Sequence, residues 1–588
     1  MSVQFRPVTV LDDQPAEGLS STADSRAVPT AWERARRRVA ALEDRATGWA
    51  AAVAVMLLAF GMRVWDLGTP RRFAFDETYY AKDAWSMANH GFVRNYLDEV
   101  GDLTIDRAIL DGRTQGIWDD GPSMIVHPEV GKWLIALGEK AFGMDPFGWR
   151  IASAVVGSLM VLVLVRLTRR LTGSTLLGLV AGLLLAFDGL HFVLSRLALL
   201  DIFLAFFLLC GVSCLVNDRD WHRARLARLL DPAAPPGRGQ WGPVLGVLWR
   251  PWLVLGGISF GLALGTKWTA AYPLAAFGVL VWVWSAGARR SFGVRWSLLR
   301  GAVADGLPAF LQLVVVAFLV YVATWTGWLI HADEYEQNLS STQYTGFVEE
   351  RPCTGSGEDR ETDNVSDDDA RWATATEPDA SGLGEVWQSL RSLASYHHDV
   401  YIFHTHYLNC SNHPYQSAPS GWLLDNRPVG VATQLDVQPG EQGCTAAEGS
   451  VCYRQVLLIG TPILWWGACL ALVAGAVLWV GTRDWRFGVA LVGTLSTWLP
   501  WLLYDERPIF LFYAIACLPF MVLAVVLALG KLIGPSRLPS TRRTVGVVVA
   551  GSFLVLVLLN FAYFYPILSF EVIPRASWLN RMWFNRWI

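Results

Sequence analysis

The chain has 588 residues, 53% of them hydrophobic and only 17% charged, with a net charge of −3. A soluble domain carries about 25% charged residues, so that class is excluded, and a slightly acidic chain lacks the basic footprint that nucleic-acid binding needs. The 29 tryptophans suit aromatic belts at two membrane interfaces, which leaves an all-α polytopic membrane protein.

Residues 1–45 are polar and include Arg34, Arg36, Arg37 and Arg38. They are too charged for the apolar part of a signal peptide and read as a cytoplasmic tail, helical around Ala31–Ala46. Apolar runs near the bilayer length of about 20 residues follow at 48–67, 148–166, 173–190, 197–216, 252–269, 271–286, 304–328, 456–480, 487–504, 509–530 and 544–566. This predicts about eleven spans, in two transmembrane modules at 46–328 and 456–566. Lys267 interrupts the pair around 251–286. Arginine and lysine gather on alternate connections, as at Arg166, Arg169 and Arg170, and at Arg289, Arg290, Arg295 and Arg300. The positive-inside rule places those in the cytoplasm. The N-terminus is then cytoplasmic, the long segments 68–147 and 329–455 lie outside, and 567–588 is an outside tail. The acidic stretch 352–382 reads as a mobile insert.

The first outside segment begins with Arg71-Arg72-Phe73-Ala74-Phe75-Asp76-Glu77-Thr78-Tyr79-Tyr80. Two carboxylates beside a membrane span are unusual, because charge near hydrocarbon is costly. Taken alone, the pair reads as a helix cap. Further on, His127-Pro128-Glu129-Val130-Gly131-Lys132-Trp133 precedes an amphipathic run, Leu134–Phe142, suited to the membrane surface. Arg150 opens the second span. Asp188, His191, Ser195, Arg196 and Asp201 surround the turn between the third and fourth, Lys267 ends the fifth, and Asp505-Glu506-Arg507 fills the turn between the ninth and tenth. Each has a plain alternative. Arg150 and Lys267 suit snorkelling anchors, Asp188 a cap, and Arg196 with Asp201 a salt bridge between spans. Together they set several cations and two carboxylates on one membrane face. A cationic pocket suits a phosphate carried on a lipid, and a carboxylate beside it suits a general base.

Cys353, Cys410, Cys444 and Cys452 all fall in the second outside segment, where an oxidising compartment permits disulfides. Of the three pairings, Cys444 with Cys452 closes most easily. His397, His398, His404, His406 and His413 share that segment and are read as packing or substrate contacts. No cysteine or histidine spacing fits structural zinc, so no metal is expected.

In order, these residues resemble the protein O-mannosyltransferases, glycosyltransferases of the GT-C fold. Ala74-Phe75-Asp76-Glu77-Thr78-Tyr79-Tyr80 is similar to the family's Asp-Glu motif. His127-Pro128-Glu129-Val130-Gly131-Lys132 is similar to its His-Pro-Pro-x-x-Lys element, with Glu129 replacing the second proline. Ser195-Arg196-Leu197-Ala198-Leu199-Leu200-Asp201, Gly265-Thr266-Lys267-Trp268, His413-Pro414-Tyr415-Gln416-Ser417 with Trp422 and Arg427-Pro428, and Arg507-Pro508-Ile509-Phe510 complete the series. The second outside segment is too short and irregular for the β-trefoil MIR domain of the eukaryotic enzymes, and the form looks actinobacterial. The resemblance implies inverting transfer of mannose from polyprenyl-monophosphate-mannose to Ser/Thr hydroxyls of exported polypeptides, at the outer face of the plasma membrane and without a cofactor. It makes Asp76 the base, Glu77 an orienting group, and places Arg150 near the Asp-Glu motif or the donor. His127, Lys132, Arg196, Lys267 and Arg507 become donor-binding candidates, and His413 and Trp422 acceptor-side candidates. Partners are the donor lipid and unfolded Ser/Thr-containing secretory polypeptides, with the secretion translocon as a further candidate. A GT-C transferase of arabinose or aminoarabinose, and a transporter of lipid-linked sugars, are the alternatives. Glu129 reads as the loss of a rigid proline and nothing more.

Overall fold

The computed structural model describes residues 43–229, 240–340, 371–405, 407–504, 506–534 and 540–588. Most of the helix expected around Ala31–Ala46, most of the acidic insert, Cys353 and Asp505 lie outside the described residues.

Each of the eleven apolar runs contains a helix. They are α1 Arg45–Val64, α4 Pro146–Thr172, α5 Thr175–Ala186, α7 Asp201–Leu229, α8 Pro251–Leu264, α9 Ala271–Ser291, α10 Ser297–Ala323, α12 Pro462–Thr482, α13 Trp485–Trp498, α14 Leu518–Ile533 and α15 Thr541–Leu568. Among the described residues, seven regions are long and apolar enough to cross a membrane: α1, α4, α7, α9 extended to Trp268, α10, α12 and α15. The others are shorter. Among the short ones, α13 continues as a 3-10 turn over Leu499–Leu503. The chain is a multi-pass membrane protein. The doubtful pair around Lys267 does divide: α8 stops at Leu264, and Lys267 adopts an extended conformation before α9 begins.

Local chemistry sets the boundaries. Asp145 caps α4 by accepting from the Gly148 amide at 2.8 Å, Pro146 follows at the first turn, and Gly173 ends the helix at φ 70°. Such a start and stop satisfies groups the helix itself leaves free. Helices also approach closely where glycine permits. Gly257 and Gly261, four apart on α8, face the carbonyls of Gln312, Leu313 and Ala317 on α10, and a Cβ at either position would stand 2.7–2.9 Å from those oxygens. Small residues at this spacing are how helices pack where water gives no hydrophobic drive.

Between spans lie α2 Glu77–His90, α3 Val130–Phe142, α6 Gly189–Leu194 and α11 Leu383–Thr405. α3 confirms the amphipathic run and begins four residues earlier. It buries Lys132, Ile135, Ala136 and Glu139, while Trp133, Leu137 and Phe142 stay exposed.

The all-α expectation is incomplete. Among the described residues seven short strands are present: β1 Arg94–Tyr96, β2 Glu99–Val100, β3 Leu103–Thr104, β4 Trp118–Pro122, β5 Val429–Val437, β6 Cys452–Leu458 and β7 Ile573–Pro574. β1 pairs with β4, β2 with β3, and β5-β6-β7 form one antiparallel sheet. Their runs are too short and too polar to register beside 20-residue apolar stretches. The third sheet also takes in part of the tail 567–588: Cys452 pairs with Pro574 and Tyr453 with Ile573. The expected Cys444–Cys452 disulfide is formed.

Two halves of the chain meet around the short helix α6. Asp188 caps it, its Oδ1 accepting from the His191 amide at 3.0 Å. Its Oδ2 accepts from the Thr461 amide at 2.9 Å and from Trp465 Nε1 at 2.8 Å. One carboxylate thus joins the turn before α6 to the start of α12.

Candidate active site

Asp76 stands at the N-terminus of α2, as its cap position predicts, but its side chain makes no capping hydrogen bond. Phe75 before it has φ 54°, a left-handed backbone that a bulky residue adopts only when its surroundings force it. Those surroundings are aromatic: Phe510, Phe512 and His413 meet the Phe75 ring edge-on at 5.3–5.7 Å. The turn leaves the carboxylate in a poorly solvated place. Burial raises the Asp76 pKa to about 6, the Asp201 charge adds to the rise, and the Lys267 ammonium and Tyr80 hydroxyl oppose it.

Glu77 is wholly buried and does different work. Arg150 donates to it twice, Nε to Oε1 at 2.8 Å and Nη2 to Oε2 at 2.7 Å. The Ala74 and Ala198 amides donate to the same carboxylate at 2.8 and 2.9 Å. Arg150 uses its other donors on the carbonyls of Leu67, Pro70 and Arg72. The pair therefore pins the turn that holds Asp76 and ties it to the segment leading into α7. Of the two places foreseen for Arg150, it occupies the one beside the Asp-Glu motif.

The expected donor-binding cations separate into two groups. Arg196 donates to the carbonyls of Arg63, Trp65 and Asp66, closing the C-terminal end of α1. It makes no salt bridge with Asp201. Lys132 is buried and pairs with Asp83 on α2 at 2.8 Å. Lys267, Arg507 and His127, by contrast, line one cavity of about 170 Å³, together with Trp268, His404 and Tyr513. Lys267 Nζ donates to both oxygens of Asp201 at 2.9 Å. Arg507 has no carboxylate partner among the described residues, and its Nε is buried without an acceptor. Of the five lysines and arginines here, counting Arg150, only Arg507 combines a face on the cavity with the lack of a carboxylate partner among the described residues. Burial, and then the charges of Lys267, His404, Lys132 and Arg507, hold the His127 pKa well below its usual value.

Two candidates stand apart from the cavity. Trp422 is fully buried, donates to Ser417 and packs against Trp501 and Tyr513. His413 packs on Phe75 and Phe510 and accepts from the Tyr415 amide. Its place supports the Asp76 turn.

The sequence reading missed three kinds of residue. Asp83 carries no motif, and only its position on α2 opposite Lys132 reveals it. Glu129 is a buried carboxyl at the start of α3 that accepts from Trp133 Nε1 at 3.3 Å. Burial pushes it up to about 7, so the replacement of a proline installs a titratable group. Tyr513, three residues past the motif that ends at Phe510, supplies the aromatic walls of the cavity together with motif residue Trp268.

The chain matches the family model described as dolichyl-phosphate-mannose-protein mannosyltransferase over residues 53–335. Residues 390–587 match the C-terminal four-transmembrane region of protein-O-mannosyltransferase. A Mycolicibacterium smegmatis (strain MKD8) protein named polyprenol-phosphate-mannose–protein mannosyltransferase is 35% identical over 555 residues, 92% of this chain and 94% of that one. One of the same name from Mycobacterium tuberculosis (strain CDC 1551 / Oshkosh) is 34% identical, with 92% of each chain covered. Among solved structures, the Saccharomyces cerevisiae protein O-mannosyltransferase Pmt1-Pmt2 complex bound to the sugar donor aligns with a TM-score of 0.62, at 14% identity and 94% coverage of both chains.

Proposed function

This chain belongs to the dolichyl-phosphate-mannose–protein mannosyltransferase family of glycosyltransferases, and on that premise we propose that it transfers mannose from a polyprenyl-monophosphate donor to Ser/Thr hydroxyls of exported polypeptides, with inversion. The supporting observation is the cavity that brings Lys267, His127 and Arg507 together, with the Lys267 charge acting on Asp76. A phosphate leaving group needs its charge neutralised and not a proton, which suits a guanidinium and an ammonium. The hydroxyl is a weak nucleophile and needs a base. Asp76 is that base. Its raised pKa makes it a better proton acceptor than an ordinary aspartate while leaving it ionised at neutral pH.

The arrangement calls for one carboxylate in chemistry. Direct displacement at the anomeric carbon needs no acid on the leaving side, unlike glycoside hydrolysis. Glu77 and Arg150 position the base. Arg507 and Lys267 bind the donor phosphate, with Lys267 exchanging part of its pairing with Asp201 for the phosphate. Lys132 and Arg196 act at one remove, by holding α2 and the end of α1. All eleven apolar helices cross the plasma membrane, with the N-terminus cytoplasmic and the cavity on the outer face.

Purified enzyme carrying Asp76→Asn, given polyprenyl-phosphate-mannose and a Ser/Thr peptide, is expected to lose about 10²–10⁴ in turnover while still binding donor. Near-wild-type transfer by that variant removes Asp76 from the role. Productive use of an aminoarabinose or arabinose donor in place of mannose would move the enzyme to the neighbouring class of transferase.

A further inference from the structure

The histidine at the end of α11, His404, belongs to none of the motifs, yet it touches two of them. Its Nε2 lies 2.8 Å from the carbonyl oxygen of Val126, the residue before His127. A carbonyl only accepts, so Nε2 carries the proton. In a neutral imidazole the other nitrogen is then an acceptor. That nitrogen, Nδ1, lies 2.9 Å from Arg507 Nη1, which also donates to the His404 carbonyl at 3.1 Å. Both contacts demand the same neutral tautomer. The ring is also stacked on His127, with centroids 5.2 Å apart and planes within 19°, and Trp268 meets it edge-on at 6.3 Å.

From this geometry we propose that His404 is a positioning residue: a neutral imidazole that holds the Arg507 guanidinium toward the cavity and locks it in register with the loop carrying His127. The inference rests on the reading of that cavity as the donor-phosphate site. Arg507 follows a short turn between α13 and α14 and has no carboxylate to hold it among the described residues. A long, flexible side chain left to itself spreads over many rotamers, and a phosphate clamp works only when its donors are already in place. His404 supplies the restraint without a negative charge. A carboxylate there would spend the charge that the phosphate needs.

The groups facing His404 are all neutral or cationic: His127 from the first loop, Lys267 from the break before α9, and Arg507 itself. Protonation of His404 would replace an acceptor by a donor opposite Arg507 and break the link.

Four variants test this by steady-state kinetics with polyprenyl-phosphate-mannose and a Ser/Thr peptide. His404→Phe keeps the ring on His127 and removes both nitrogens. It is expected to raise the donor KM about tenfold with kcat within about twofold, a loss typical of one charge-assisted hydrogen bond. His404→Asn places an amide oxygen near the former Nδ1 and should recover most of that loss. Arg507→Ala should raise the donor KM at least as much, and the double variant with His404→Phe should be no worse than Arg507→Ala alone, because one residue acts through the other. A His404→Phe effect that adds fully to Arg507→Ala overturns the proposal, as does equal damage by Phe and Asn or an unchanged KM. An unchanged donor KM in Arg507→Ala instead overturns the donor-site reading, and the role of His404 falls with it.

Discussion

At the scale of single residues, two adjacent carboxylates receive opposite treatment from the same turn. Glu77 accepts four hydrogen bonds, two of them from Arg150, so its charge is fully compensated. Asp76 makes no capping bond, and burial raises its pKa to about 6. A base must be ionised, so the fraction of competent enzyme falls as pH drops through that value. The expected profile is a kcat flat above about pH 7 that declines below about pH 6 toward a tenfold loss per unit. Measured on the purified enzyme with saturating donor and peptide, a profile flat down to pH 4.5 would contradict the environment described for Asp76. The Phe75 backbone at φ 54° belongs to the same account. Its ring is held by Phe510, Phe512 and His413, so packing sustains the strained turn that withholds Asp76 from the cap.

At the scale of elements, the site depends on helices brought unusually close. α8 ends at the break that presents Lys267, and α10 packs against it through Gly257 and Gly261. A Cβ at Gly261 would stand 2.6 Å from Val320 Cβ and 2.7 Å from the Ala317 carbonyl oxygen. Backbone cannot yield as a flexible side chain can. Gly261→Leu is therefore expected to separate α8 from α10, displace Lys267 and lower thermal stability, by about 1–3 kcal/mol for overpacking. Gly278 on α9 has open space at its Cβ position and serves as the control. A Gly261→Leu protein that melts with the Gly278→Leu protein and keeps its donor KM would show that this approach carries no strain. The spans were legible because a run of about 20 apolar residues admits little else. The strands were not, because strands of two to nine residues gain their stability from partners far away in the chain.

At the scale of the whole molecule, the same distinction governs the site. Ordered motifs located His127, Lys267 and Arg507, which do gather round one cavity, and Asp76, which feels the Lys267 charge. They did not separate a cation facing the cavity from one already spent. Lys132 and Arg196 are cationic and have the same motif standing as Lys267, and only the positions of Asp83 and of the carbonyls at the end of α1 take them out of it. Long-range pairing of this kind leaves no periodic trace. The link through Asp188 between the two halves is a further case, since a local cap was all its neighbours suggested. Its loss should be felt globally. Asp188→Ala removes the acceptor from three donors: the His191 and Thr461 amides and Trp465 Nε1. Each buried donor left unsatisfied costs about 1–3 kcal/mol. The opposing gain is small. Asp425, also buried nearby, has its pKa pushed up first by burial and only second by the Asp188 charge, so the repulsion relieved is the lesser cause. The unsatisfied donors win. The detergent-solubilised Asp188→Ala protein is expected to unfold at a lower temperature than wild type when followed by tryptophan emission, with Asp188→Asn in between because its amide oxygen serves part of the set. An unchanged melting temperature for the alanine variant would mean that apolar contact alone joins the halves, and that the carboxylate serves only α6.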